Sequence, residues 1–277
     1  MNRSLAAFVV MISLVMPMHY ARATGVLDFN LVDINTLTTL LNNNQLPQVI
    51  PNAIIKTFGI YTAHRSYQGA TSIFKSNSMD IFIEGTMVKI GDDLNKALVA
   101  EGVPAVNLQN VPAAPAIKVH LVKALNESAD IGLSGILVGS QYILGLDLKI
   151  VLDDPEEGIT KALRIGYTHS HVPISYVTSC TVWSPELVFS RKLYFAEPYI
   201  GLGARYITGT LTIPFKIVAG PVSVDHTVTQ DGSGSTAYAF TGVYFRLLGA
   251  QGLRLGLEGS YDISGYPTMG MVFGLGF

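Results

Sequence analysis

His169-Ser170-His171 is the densest cluster of potentially reactive side chains in this sequence. In an extended chain residues i and i+2 point the same way, so both imidazoles could face one metal ion. No third ligand stands at a matching spacing, so the triplet is expected to be a polar turn and not a metal or catalytic centre. Asp153, Asp154, Glu156 and Glu157 offer the oxygens that Ca²⁺ prefers, but without the EF-hand spacing, and read as a solvated turn. Gly201-x-Gly203 and Gly274-x-Gly276 are not phosphate loops, because no helix follows either pair; glycines there would relieve crowding inside a curved sheet. Cys180 is the single cysteine, which excludes an internal disulfide framework and reads as a small apolar residue on a strand face. No catalytic residue, cofactor or metal is therefore expected, and the chain is not expected to be an enzyme.

A second set of polar residues is spread along the chain and shares one phase. Lys118, His120, Asp147, Lys149, Arg164, Glu197, Arg205, Arg246, Arg254 and Glu258 alternate with apolar neighbours and carry both signs of charge. If all of them face one interior, they could line a polar pore or small-solute site whose selectivity is set by charge. They could equally form an ion-paired interior that holds the wall together.

The elements that would carry these charges are strands. From Gln141 to Leu152, Tyr142, Leu144, Leu146, Leu148, Ile150 and Leu152 lie on one face, with Asp147 and Lys149 on the other. A strict period of two over twelve residues excludes a helical stripe. It also exceeds the about 5–6 residues of a soluble strand and suits the roughly 9–11 of a tilted membrane strand. The pattern recurs at Ala162–Thr168, Glu197–Tyr206 and Leu253–Tyr261. In the last strand Met269, Met271, Phe273, Leu275 and Phe277 share a face. We read twelve strands, starting near residues 58, 79, 115, 129, 141, 160, 174, 186, 196, 236, 252 and 268.

Composition agrees. Charged residues make up 14%, against about 25% in soluble domains. No run after the first residues is long and apolar enough for a membrane helix. A charge on a lipid-facing strand position would cost about 2–4 kcal/mol at the midplane, and these charges keep to the other face. Arg191 breaks the pattern and is acceptable only near an interface. Tyr142, Tyr167, Trp183, Tyr206, Tyr261 and Phe277 fall near strand ends, where interfacial aromatics belong.

Residues 1–23 read as a secretory signal: Arg3, an apolar stretch from Leu5 to Met16, then Ala21-Arg22-Ala23 as the cleavage site. Its removal takes away Arg3 and Arg22 and no acid. That leaves 16 Lys+Arg against 20 Asp+Glu, a net charge of −4 and no footprint for nucleic acid. Residues 24–55 are set apart as an N-terminal periplasmic or plug segment with a short helix or two, broken by Pro47 and Pro51. Residues 56–277 form the barrel. Asp92 to Gly102 reads as a capped helix with a glycine stop.

An even strand count places both ends of the barrel on one side, with short turns there and long loops opposite. Gly249-Ala250-Gln251 is then a short inner turn and Thr208–Ser235 a long outer loop. Asp153–Gly158 falls outside and Gly139–Ser140 inside. The long Gly91–Ala114 connection disobeys, since it would lie on the inner side. Thr210–Val218 could be a further strand, although Pro214 counts against it.

The strand Thr268–Phe277 resembles the C-terminal assembly signal of Gram-negative outer-membrane proteins, which end in Phe after alternating apolar residues. Glu186–Lys192 with Glu197–Gly203 looks like strand pairs of bacterial outer-membrane barrels, and the likeness covers about residues 190–277. It implies an all-β, antiparallel up-and-down transmembrane barrel in the outer membrane, a signal in Phe273, Leu275 and Phe277, and two partners, the membrane lipid and the barrel-assembly machinery. The function expected is a passive porin-like channel or small-solute transporter. A closed structural or adhesive surface barrel and a lipid- or peptide-hydrolysing barrel enzyme are the alternatives.

Overall fold

The computed structural model describes residues 37, 40–41, 45–73, 79–89, 93–102, 114–138, 141–153, 158–172, 176–219, 222–247 and 252–277. Ten antiparallel strands close into one barrel: β1 (Met79–Val88), β2 (Ala114–Asn126), β3 (Ala129–Val138), β4 (Gln141–Asp153), β5 (Thr160–His171), β6 (Val177–Ser190), β7 (Ala196–Ala219), β8 (Val222–Leu247), β9 (Leu253–Asp262) and β10 (Pro267–Gly276). Each strand pairs with its neighbours in sequence, and β1 pairs with β10 to close the ring. The last residue takes part in the closure. Phe277 N–H donates to Met79 O at 2.8 Å, and Met79 N–H donates to Phe277 O at 3.2 Å.

Ten strands replace the twelve expected, for two reasons. The segment near residue 58 is helical: α1 spans Val49–Thr62. Phe58 and Ile60 suggest a period of two, but Ile50, Ile54, Ile55, Phe58 and Tyr61 follow helical spacing. The helix is buried on nearly all sides because it packs into the hairpin end of the barrel against β6, β7, β8 and a second helix, so no polar stripe marks it. Pro51 does not break it. That proline sits in the first turn, where its missing N–H has no intrahelical partner to lose. Second, the strands expected at 174 and 186 are one, β6. Pro185 pairs with Ile165 on the β5 side, while the β7 side skips from Trp183 to Glu186, so the proline sits where a donor is missing from the ladder.

Fusing two strands reverses the side of every connection before them. Asp153 and Thr160, which flank the β4–β5 connection, lie at the end bearing Phe277, and Val138 and Gln141, which flank the β3–β4 connection, lie opposite; residues 139–140 and 154–157 themselves lie outside the described residues. The long β1–β2 connection also moves to the opposite end, so its length is no longer anomalous. It carries the expected helix, α2 (Asp93–Ala100), ended by Gly102 at φ +81° with its N–H on Val99 O at 3.0 Å. Residues 208–235 are not a loop. β7 and β8 run paired from Ala196↔Phe245 to Ala219↔Val222, far past the other strands. Pro214 fits there because β7 runs beyond its last partner on β6, Leu211↔Val177. Gly232 and Gly234 are not loop flexibility either. α1 packs so close that a Cβ at Gly232 would overlap the Pro51 backbone and one at Gly234 would press on Lys56.

The outer face of the wall is apolar in a band. Leu133, Leu144, Leu146, Ile150, Ile165, Leu187, Ile200, Leu202, Leu257, Met269, Met271 and Phe273 are all exposed. On β7 this band runs from the turn residues Tyr194 and Phe195 up to Tyr206. Beyond it the outward positions become Thr208, Thr210 and Thr212, faced on β8 by Ser233, Asp231 and Thr229. Arg191 lies just past the end of β6, at the lower edge of the band.

Candidate functional site

The lumen is the polar face of every strand, and all ten charged residues expected there point into it. They do not line an open passage. After α1 the chain runs on from Ala63 to Ile73 through the barrel, buried throughout, and the wall bonds to it residue by residue. Lys118 Nζ donates to the carbonyls of Thr62 at 3.2 Å and Ala63 at 3.0 Å, two of the orphan acceptors at the end of α1. His64 N–H donates to Thr168 Oγ1 at 2.8 Å. Arg164 Nη2 donates to Gln68 O at 2.6 Å, and Lys149 Nζ to Thr71 O at 2.6 Å. Ala70 N–H donates to Ser190 Oγ at 2.9 Å. Glu197 accepts from Thr71 N–H at 3.0 Å and from Thr71 Oγ1 at 2.6 Å. Asp130 accepts from Ser72 Oγ at 2.6 Å and from Ile73 N–H at 3.0 Å. A plug without regular structure can stay buried only because its backbone groups are satisfied in this way.

The charges also pair across the wall. Arg164 meets Glu186 at 2.8 Å, Lys149 meets Asp130 at 2.9 Å, Arg246 meets Glu197 at 3.0 Å and Arg254 meets Asp80 at 3.2 Å. Arg205 meets Asp262 at 3.3 Å and stacks on the Tyr238 ring at 3.6 Å. Glu258 accepts from the Tyr199 hydroxyl at 3.0 Å. His120 bonds Glu84 at 2.5 Å, with Lys118 3.8 Å from the same carboxylate and the Tyr67 hydroxyl bonded to it. Among the described lumen residues, seven cations (Arg65, Lys118, Lys149, Arg164, Arg205, Arg246, Arg254) face eight carboxylates (Asp80, Glu84, Asp130, Asp147, Glu186, Glu197, Glu258, Asp262). That near-balance leaves no charged ring of one sign to select a solute.

One arrangement looks catalytic. Ser134 Oγ lies 2.7 Å from His64 Nδ1, and His64 Nε2 lies 2.7 Å from Asp147 Oδ1. The order nucleophile, imidazole, carboxylate is that of a hydrolase triad. The His64–Asp147 contact, though close, is off the line a hydrogen bond needs, and all three side chains are buried. A nucleophile must reach its substrate, so the geometry acts here as plug anchorage.

His169-Ser170-His171 lies in β5 and not in a turn. Ser170 is buried inward, while both imidazoles lie outward about 6 Å from the Tyr142 ring. Cys180 is buried on the inner face of β6. Asp153 pairs with Lys161 at 3.2 Å, and the rest of the acidic run lies outside the described residues, as does residue 92. Among the described residues no group of three or more His, Cys, Asp or Glu could hold a metal ion. Glycines 201 and 203 face inward beneath Phe240 and Tyr238, where any Cβ would overlap the rings. At the seam Phe273 is exposed, and Leu275 and Phe277 are half-buried.

Sequence reasoning missed the plug, from His64 to Ile73, and the acids Asp80, Glu84, Asp130, Glu186 and Asp262. The acids could have been found. Asp80, Phe82, Glu84 and Thr86 alternate in one phase, as do Asp130, Gly132 and Ser134. The plug's irregular backbone left no period to detect.

No protein-family model matches the chain, and no curated protein matches it. Solved structures with a similar barrel include the N-terminal β-barrel domain of Pseudomonas aeruginosa OprF (12% identity, 74% of this chain and 100% of that one, TM-score 0.31). An outer-membrane channel from Pseudomonas putida F1 matches at 8% identity, over 77% of this chain and 100% of that one, TM-score 0.37. The outer-membrane protease OmpT of Escherichia coli matches at 12% identity, over 78% of this chain and 99% of that one, TM-score 0.34. Scores this low transfer no activity to this chain.

Proposed function

We propose that this protein is an outer-membrane barrel of a Gram-negative bacterium whose lumen is closed by its own N-terminal segment, and that it works as a surface barrel and not as an open pore. The membrane setting is supported by the inverted polarity of the wall. Ion pairs and polar side chains are buried inside, while aliphatic and aromatic side chains are exposed outside. The band has the right height. Ala196 to Tyr206 is 11 residues, and at a rise of ~3.3 Å and a tilt of ~40° it spans roughly 28 Å, against an apolar band of about 25 Å in such barrels. Tyr206, Trp183 and Tyr167 form an aromatic row at its upper edge, paired strand to strand, and Phe195 stacks on Phe245 at its lower edge.

Closure is carried by one observation: residues 63–73 are buried without break inside the ring, bonded to nearly every strand of it. A ten-stranded barrel is wider than the eight-stranded kind that its own side chains fill, so extra chain is what fills it. The exposed working surface is then the β7–β8 hairpin with α1 and α2 beside it. Lys56 joins the two helices through Asp93 at 2.8 Å and reaches Ser264 of the β9–β10 turn at 2.6 Å. Uptake of small sugars by proteoliposomes tests this reading. No uptake above protein-free vesicles is expected, and uptake that falls with solute size would refute it.

A further inference from the structure

The chain reaches its first strand by passing through its own barrel. Leu37 and Leu46 share one apolar cluster with α1, with Leu94 and Leu98 of α2, and with Leu211 and Ile213 of the β7–β8 hairpin. Leu46 N–H donates to Gln230 Oε1 at 3.0 Å, Gln48 Nε2 donates to Asp231 O at 2.9 Å, and Ser233 N–H donates to Asn52 Oδ1 at 2.9 Å. This part of the chain is therefore fixed at the hairpin end. By Ile73 the chain has crossed to the other end, where Asp130 holds it beside the β2–β3 turn. β1 then starts at Met79 against Phe277. Gln45 and Phe277 lie at opposite ends of one closed ring.

Resting on the reading that the ring spans the outer membrane with its Phe277 end towards the periplasm, we infer that residues 45–62, with Leu37 beside them, are carried through the barrel and held at the cell surface. The protein presents there a composite surface of its N-terminal part and its longest hairpin. Gln45, Val49 and Asp231 are among its exposed residues. This gives the N-terminal part a role that a lumen filler alone would not have. It covers one face of the hairpin's glycines and satisfies the Ser233 N–H, which is not used in pairing with β7. It also orders assembly. Chains do not thread through closed rings, and this ring is filled. The segment must be in place when Met79 and Phe277 meet, so the barrel closes around it.

Cysteine labelling tests the topology directly, because Cys180 is the single native cysteine and is buried. Gln45→Cys, Thr229→Cys and Tyr194→Cys are each expressed in the full chain and exposed to a membrane-impermeant maleimide, in intact and in permeabilised cells. Heat-modifiable mobility confirms that each barrel has folded, and Val49→Cys repeats the N-terminal readout if Gln45→Cys does not fold. In intact cells, labelling at 45 and 229 and tenfold or more weaker labelling at 194 is the expected result. Labelling at 229 but not at 45 or 49 overturns the threading and leaves the membrane reading intact. Labelling at 194 alone reverses the orientation and overturns the inference. Recovery of the folded chain as a soluble protein overturns the membrane reading, and this inference with it.

Discussion

Replacing Glu197 with alanine should loosen the plug and the wall together. The carboxylate is 3% exposed and accepts four bonds: Thr71 N–H at 3.0 Å, Thr71 Oγ1 at 2.6 Å, Ser190 Oγ at 2.7 Å and Arg246 Nη2 at 3.0 Å. Bonds to a charged group contribute about 1.5–3 kcal/mol each, but they are not additive. Arg246 is 28% exposed and can turn to water, so its share is discounted. Ser190 and Thr71 hydroxyls can re-pair, while the Thr71 N–H, deep in the plug, cannot easily do so. Breaking a buried charged cluster on one side costs about 3–5 kcal/mol, and we expect the lower part of that range, about 3 kcal/mol. The assay is urea unfolding in phospholipid vesicles, followed through Trp183, the single tryptophan, which lies on the outer face 4.8 Å from the Tyr167 ring. With a slope of about 3 kcal/mol/M, the midpoint should fall by about 1 M. Glu197→Gln keeps an acceptor for the Thr71 N–H and should recover at least half of the loss. A midpoint unchanged in Glu197→Ala, or a glutamine variant as weak as the alanine one, would refute the view that the plug is pinned there.

Further outcomes follow from the same geometry. Deleting Phe277 removes both seam bonds to Met79, so the share of chain reaching the heat-modifiable form should fall severalfold, while the unfolding midpoint of the fraction that folds moves less. Gly270→Ala would drive a methyl into the Tyr67 ring and should cost about 1–3 kcal/mol, whereas Gly259→Ala meets open space and should stay within about 0.5 kcal/mol; equal effects would contradict the packed lumen. Leu202→Arg, in the middle of the apolar band, should cost about 2–4 kcal/mol in vesicles, and Thr210→Arg, two turns of the pleat above Tyr206, close to nothing. If the two arginines cost the same, the band does not face lipid.

The wall was legible in the sequence because its physics is local. β4 and β10 announce themselves by a strict alternation of two, and the same phase picks out all ten lumen charges from Lys118 to Glu258. Errors arose where local signals mislead. Pro185 looks like a break but occupies a gap in one ladder, and splitting β6 there flipped the expected sides of the β3–β4 and β4–β5 connections. Gln230–Ser235 looks like a flexible loop because its glycines are small, whereas they are small to admit α1. The plug was illegible for a deeper reason. Residues 63–73 have no repeat of their own, and most of their partners lie 50 or more residues away: Lys118 to Ala63, Arg164 to Gln68 and Arg246 to Thr71. Which of two readings applied to the lumen charges, pore lining or ion-paired interior, depended wholly on that segment.

Single-channel recording of the full chain in planar bilayers tests closure most directly, with Trp183 fluorescence confirming insertion of the same sample. The plugged barrel predicts a silent membrane for the native protein, and brief irregular openings once Glu197→Ala and Lys149→Ala together leave Thr71 held by Arg246 alone. A steady ohmic current from the native protein would contradict the account.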